Sequence, residues 1–166
     1  MDYFANMKAA SVKEIKSALE NISQKELVDV CLRLVKFKKE NKELATYLMF
    51  DGSDESGYIS NVKVTLELLF EDVNTSNPYF AKKTYRKIVR VTNKFARYSN
   101  EATTEVDLLL FIAEKMKVQK KGIGKSTALE NIYLGLVKKI TKVVEGLHED
   151  LQYDYLRQLQ FVESIS

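Results

Sequence analysis

Residues 77–100 read NPYFAKKTYRKIVRVTNKFARYSN and contain seven basic side chains and no acidic one. On a helix, where consecutive residues turn by about 100°, six of these cations share one side. We call this side the basic face, and it consists of Lys83, Arg86, Lys87, Arg90, Lys94 and Arg97. The opposite side consists of Ala81, Thr84, Ile88, Val91, Phe95 and Tyr98. Because Asn77 and Pro78 form a helix-start pattern, the stretch predicts an amphipathic helix over 78–99.

The composition of the whole chain also favours helices. Its 166 residues include six glycines and one proline, which is few for a fold built from strands and turns. The seven cations of 77–100 exceed the net charge of +3, so the remaining chain is net acidic. This length fits one domain, and we predict a single all-α domain over residues 1–166.

Helix signals recur on both sides of the basic helix. Ser11 with Glu14 and Ser23 with Glu26 fit the capping box, which marks a helix start. The other predicted helices run over 11–21, 24–40 (resuming through 44–48), 58–73, 104–118, 127–147 and from 151 onward, with a loop over 51–57. Residues 106–113, VDLLLFIA, are apolar nearly all round and predict a central helix. We expect six to seven helices in antiparallel hairpins, arranged as a closed bundle or a short stack of helix pairs.

The helix over 24–40 carries apolar residues at three- and four-residue spacing. We predict that it buries Leu27, Val30, Cys31, Leu34 and Phe37. Cys31 is the only cysteine, so no disulfide forms within one chain. Its apolar neighbours favour a small core residue over a nucleophile.

Compartment signals indicate a cytoplasmic protein. A single thiol is typical of a reducing environment. The first ten residues, MDYFANMKAA, lack the apolar run of a signal peptide. The longest apolar segment, 108–113, is too short to cross a bilayer, so we predict no membrane partner.

Two short motifs resemble known sites but lack required parts. Residues 122–127, GIGKST, resemble the end of a phosphate-binding loop, yet Gln119 stands where the pattern needs its first glycine. A basic connector over 119–125 is favoured instead, whose backbone N–H groups could hold an anion. Glu145 and His148 have the Glu-x-x-His spacing of di-iron bundles. Because His148 is the only histidine, a second copy requires a symmetric dimer, and a histidine in the last turn of a helix is favoured.

No catalytic set can be assembled from the remaining residues. Hydrolase arrangements need a base, and His148 lies among acidic residues without a strained nucleophile turn. Glu67, Glu71 and Asp72 cluster near the end of one helix and are the remaining candidates for paired-carboxylate chemistry, but a counter-surface to the basic face is favoured. We predict that the chain is not an enzyme and has no catalytic residue, metal site or cofactor.

The helix over 127–147 has apolar residues in strict four-three alternation. They are Leu129, Tyr133, Leu136, Ile140, Val143 and Leu147. About two and a half heptads are too few for a free coiled coil. The pattern fits a seam inside a bundle or a homodimer through helix 128–147.

The order of these features resembles a group of small, all-helical bacterial proteins without an assigned function. The opening SVKEIKSALENISQKELVDVCLRLVKFKKENKELATYL (11–48), the basic central helix and the closing ENIYLGLVKKITKVVEGLHEDL (130–151) carry the resemblance. It implies an all-α fold and transfers no functional residue.

Two functional hypotheses follow from the helical pattern. The leading one is a non-enzymatic interaction module whose partner is another protein of unknown identity. The alternative is nucleic-acid binding, in which the basic face of helix 78–99 contacts the phosphate backbone or another polyanion. Aromatic residues near the basic face could stack on bases, and they are Tyr79, Phe80, Tyr85 and Tyr98. The alternative without a function is that the basic face is solvated, or paired with acidic residues of the same chain.

Overall fold

A computed structural model describes residues 8–123 and 126–163 of the chain. Over these residues it contains eight α-helices and no strand, which confirms the all-α prediction with slightly more helices than expected. The chain divides into two compact units, the first ending at Thr46 and the second beginning at Tyr47. The single domain over 1–166 stays a prediction.

Three short helices form the first unit. They are α1 Val12–Glu20, α2 Gln24–Phe37 and α3 Lys39–Thr46. Both predicted capping boxes are present: the Glu14 backbone N–H donates to the Ser11 hydroxyl at 3.3 Å, and the Glu14 carboxylate accepts from the Ser11 N–H at 2.7 Å. Ser23 and Glu26 repeat this arrangement at the start of α2. Helix α2 ends at Phe37 and not near residue 40, because Lys38 adopts an extended conformation.

The predicted core of α2 is wrong. No described residue of the first unit is buried, and Leu34 and Phe37 are 56% and 75% exposed. Cys31 is exposed as well, so the prediction of a core cysteine is also wrong. The physical reason is size, because helices of 9, 14 and 8 residues offer too little surface to enclose one another's apolar side chains.

The second unit begins with a short π-helical segment, Tyr47–Asp51, followed by five longer helices. These are α4 Glu55–Glu71, α5 Pro78–Ser99, α6 Ala102–Ile123, α7 Thr127–Val144 and α8 Glu149–Glu163. Residues 55–57 of the predicted loop over 51–57 are helical, since α4 starts early on a cap in which Asp54 accepts from the Gly57 N–H at 3.0 Å. The predicted connector over 119–125 is wrong for residues 119–123, which extend α6.

Helix α6 is the centre of the second unit, as predicted. It packs against α4, α5, α7 and α8. Its apolar side chains with an exposure of 2% or less are Val106, Leu108, Leu109, Leu110, Ile112, Ala113 and Met116. A helix that is apolar nearly all round can only bury its surface when neighbours surround it.

The four-three pattern of α7 forms a seam inside this unit. Leu129, Tyr133, Leu136 and Ile140 are buried in it. The fifth buried position is Val144, while Val143 is half-buried, because a straight helix drifts away from a strict heptad by about 20° in every seven residues. The homodimer through helix 128–147 stays a prediction.

One carboxylate connects four elements at the end of α5. Glu55, the first residue of α4, accepts from the Tyr47 hydroxyl at 2.8 Å. The hydroxyls of Ser99, at the end of α5, and Thr104, in the first turn of α6, donate to its other oxygen. Asn100 follows α5 in the left-handed conformation with φ 61° and turns the chain into α6. These bonds fix how α5 is mounted on its neighbours.

Candidate functional site

Helix α5 has the predicted boundaries for local reasons. The Asn77 side chain accepts from the Tyr79 backbone N–H at 2.9 Å, and Pro78 occupies the first helical position. The helix then runs for 22 residues without an internal glycine or proline. A long helix capped at both ends holds the six cations of the basic face in fixed register.

The inner side of α5 is shifted by a few residues from the prediction. Its buried side chains are Ala81, Tyr85, Ile88, Thr92, Ala96, Tyr98 and Ser99. Thr84, Val91 and Phe95, which were expected in the core, are half-buried. The hydroxyl of Tyr85 donates to the Gln119 side chain at 3.4 Å, and burial raises the pKa of Tyr85 to about 12.

Burial divides the four aromatic residues near the basic face. Tyr85 and Tyr98 are 0% and 9% exposed, so their rings are not accessible to a base. Tyr79 and Phe80 are 65% and 52% exposed at the start of α5. The Tyr79 ring also lies 5.2 Å from Nζ of Lys82. Only these two of the four candidate stacking residues are available.

Five cations of the basic face are exposed: Lys83, Arg86, Lys87, Arg90 and Arg97. Lys94 differs, since it is half-buried and its Nζ lies 4.8 Å from the Phe95 ring centre and 5.9 Å from that of Tyr98. A cation over an aromatic ring is attracted by the ring quadrupole. Lys94 is therefore less accessible to a ligand than the other five cations.

The acidic cluster on α4 does not neutralise the basic face, contrary to our prediction. Glu67 pairs with Lys115 of α6 at 2.7 Å. Within the described residues, no ion pair joins Glu67, Glu71 or Asp72 to α5. Nor do the five exposed cations of the basic face form an ion pair with any side chain that the structure describes. Their charge is left for solvent or for a ligand.

Two concavities flank Arg86 and Arg90. The first, of about 600 Å³, is lined by Tyr79, Lys82, Lys83, Thr84, Arg86, Lys87 and Arg90. The second, of about 620 Å³, lies between α5 and α7, and we call it the α5–α7 groove. Its lining consists of Arg86, Val89, Arg90, Asn93, Arg97, Asn131, Ile132, Gly135, Leu136 and Lys139. Among the described residues, neither lining includes a carboxylate, so the side chains that line both concavities give them a positive charge.

Helix α7 supplies the far wall of the groove. Nζ of Lys139 lies 2.6 Å from the Glu105 carboxylate and donates to the Asn93 side chain, which links α7 to α5 and α6. Gly135 is exposed, and beyond the backbone of its own helix a Cβ at this position would meet no atom of the described residues within 4 Å. The groove is therefore held by a fixed bridge and is open above Gly135. These α7 residues were not predicted, because no local pattern connects them to a helix some 45 positions earlier.

The other two candidate motifs lie at the ends of α6 and α7. His148 lies between α7 and α8 and not in the last turn of a helix, because α7 already ends at Val144. It is exposed, with Nδ1 3.4 Å from the Asp150 carboxylate. Across the described part of the chain, no three metal-binding side chains come together. In GIGKST, Ile123 ends α6, whereas Gly124 and Lys125 lie outside the described residues.

Comparisons of the chain with models of known protein families, with curated proteins and with solved structures give no match. The resemblance to small all-helical bacterial proteins stays a prediction. No described helix combines the length and the apolar character that crossing a bilayer requires.

Proposed function

We propose that this chain is a non-enzymatic binding module whose α5 contacts the phosphate backbone of a nucleic acid. The observation that supports this is the basic face, with five exposed cations that have no ion-pair partner among the described residues. From Lys83 to Arg97 it extends about 21 Å at the usual helical rise, enough to follow several phosphates.

Electrostatic repulsion among the cations of the basic face favours a bound polyanion over a merely solvated surface. Neighbouring cations at three- and four-residue spacing have Cβ atoms about 5–6 Å apart. Like charges at this spacing destabilise a helix, and with a screening length of about 8 Å at physiological salt their repulsion is only partly screened. A row of phosphates relieves that repulsion and releases its own condensed counterions.

The test is binding of fluorescently labelled RNA and DNA of mixed sequence, measured by anisotropy at 50 and 200 mM salt. With five phosphate contacts, affinity should fall about a hundredfold or more between the two salt concentrations. The reason is that each contact contributes about 0.7–0.9 to the slope of log affinity against log salt concentration. The double variant Arg86→Glu with Arg90→Glu should abolish binding while its helical circular dichroism is unchanged.

A matched control reverses the same number of charges elsewhere. Lys25 and Arg33 are exposed on α2 in the first unit, and no ion pair to a described residue holds them. The variant Lys25→Glu with Arg33→Glu should keep its affinity to within about threefold. Equal losses in the two variants would show that net charge and not the basic face drives binding. No binding by the wild type at 50 mM salt would reject the proposal.

A second function, binding of a protein partner, is favoured by the first unit. Its described residues include none that is buried, yet α2 carries apolar side chains on most of its circumference. Val28, Leu32, Leu34 and Phe37 are between 48% and 75% exposed. Helices of this kind are typically covered by other protein.

This second function has its own test. A partner that binds α2 should co-purify with the wild type from the native cell, be lost from the variant Leu34→Asp with Phe37→Asp, and be retained by the Arg86→Glu, Arg90→Glu variant. Retention of the same proteins by all three chains would reject binding through α2.

A further inference from the structure

The α5–α7 groove lies directly beside the basic face and shares Arg86, Arg90 and Arg97 with it. Its remaining lining is chemically different from the basic face. Val89 and Ile132 are half-buried apolar side chains, and Asn93 and Asn131 add amide groups. Phosphates are recognised by cations, so these apolar and amide groups point to a second part of the ligand.

The groove has the size and the polarity of a site for a flat heterocycle. Its volume of about 620 Å³ falls in the usual range of about 300–1,000 Å³ for small-molecule sites. Such sites combine apolar walls with a few placed hydrogen-bonding groups. A nucleic-acid base offers an apolar face together with donors and acceptors at its edge, which matches this lining.

Gly135 supports the entry of a ligand into the α5–α7 groove from solvent. A glycine inside a helix costs about 0.5–1 kcal/mol relative to alanine. Packing within the described chain does not require it, because a Cβ would meet no atom within 4 Å. What the missing side chain does provide is open space in the lining of the groove.

From these observations, and resting on the function proposed above, we infer that the chain binds single-stranded rather than double-stranded nucleic acid. Phosphates lie along Arg86, Arg90 and Arg97, and unstacked bases enter the α5–α7 groove. On the other side of Arg86 and Arg90, the exposed Tyr79 ring lines the first concavity and offers a further stacking surface. A duplex keeps its base faces stacked inside and leaves both surfaces unused.

The experiment compares three ligands of equal length on the full chain: a labelled single strand of mixed sequence, its duplex, and an abasic strand with the same phosphates. The single strand should bind at least tenfold more tightly than the abasic strand, since stacking of one base contributes about 1–3 kcal/mol and 1.4 kcal/mol is tenfold. It should also bind more tightly than the duplex.

A variant of Gly135 tests whether the preference for the single strand over the abasic strand arises in the α5–α7 groove. Gly135→Leu should lower affinity for the single strand about tenfold and leave affinity for the abasic strand within about twofold. Gly135→Ala is the graded control, with a smaller loss in the same direction. Because open space surrounds this position, both variants should fold, which thermal unfolding verifies.

The outcomes separate the two proposals. Equal affinity for the single strand and the abasic strand, or tighter binding of the duplex, would overturn the inference. If the Arg86→Glu, Arg90→Glu variant then failed to bind these ligands, the proposed function would still be supported. Unchanged single-strand affinity in Gly135→Leu would also overturn the inference. Failure of all three ligands to bind at 50 mM salt would overturn both.

Discussion

Glu55 allows a direct test of how the second unit holds α5. Its carboxylate accepts hydrogen bonds from the hydroxyls of Tyr47, Ser99 and Thr104, which belong to three other elements. Hydrogen bonds to a charged group contribute about 1.5–3 kcal/mol each when buried. Glu55→Gln keeps the shape but replaces one accepting oxygen with an NH₂ group and removes the charge. Since Glu55 is only half-buried, we expect the variant to lose about 2 kcal/mol of unfolding free energy at pH 7.

The pH dependence of this loss follows from the pKa of Glu55. Burial raises this pKa, but the hydrogen bonds from Ser99, Thr104 and Tyr47 outweigh it, so the pKa lies below its ordinary value of 4.5. A lowered carboxyl pKa stabilises the fold above pH 4.5, and this contribution is lost as the pH falls through the folded-state value. The difference between wild type and Glu55→Gln should therefore shrink in acid, where protonated Glu55 resembles glutamine.

The assay is urea unfolding followed by circular dichroism at pH 7 and pH 3. Glu67→Gln is the matched control, because Glu67 forms an exposed ion pair with Lys115 that should contribute at most about 1 kcal/mol. A loss below about 0.5 kcal/mol in Glu55→Gln at pH 7 would refute the anchoring role. So would an equal loss at both pH values.

Further predictions concern packing and exposure. Ile140→Ala in α7 should destabilise the chain by about 2–5 kcal/mol in urea unfolding, whereas Leu134→Ala, at a position that is 55% exposed, should stay within about 1 kcal/mol. Gly135→Ala should raise the free energy of unfolding by about 0.5–1 kcal/mol, and a decrease would show an unrecognised clash. Cys31 should react with a thiol reagent in the folded chain as fast as in urea, and slow reaction would show that it is covered.

Much of the second unit can be predicted from local patterns. The proline and asparagine that start α5, and a cationic side opposite an apolar one, are enough to place this helix within a residue of its observed bounds. The apolar run in α6 likewise predicts a central position. Such signals succeed because caps and periodicity act within a few residues of each other.

Burial in the first unit is not predictable in the same way. The apolar spacing of α2 has the usual form of a core-facing helix, yet Leu34 and Phe37 are exposed. Periodicity shows which side of a helix prefers burial but not whether a neighbour is there to cover it. The same reasoning led to the wrong expectation for Cys31.

The candidate site is likewise predictable from the sequence only in part. The basic face follows from one helix and its sequence alone. The α5–α7 groove depends on two helices, joined by the bridge from Lys139 to Asn93, and no spacing rule reaches across that separation. The wrong assignment of Glu67 to the basic face has the same origin, because its partner Lys115 comes from a third helix.

The salt dependence of nucleic-acid binding tests the central claim most directly. The slope of log affinity against log salt should be about −3.5 to −4.5 for the wild type, if the five exposed cations each contact one phosphate. Replacing Arg90 with glutamine should reduce its magnitude by about one. A slope near zero, or one that Arg90→Gln leaves unchanged, would contradict the account.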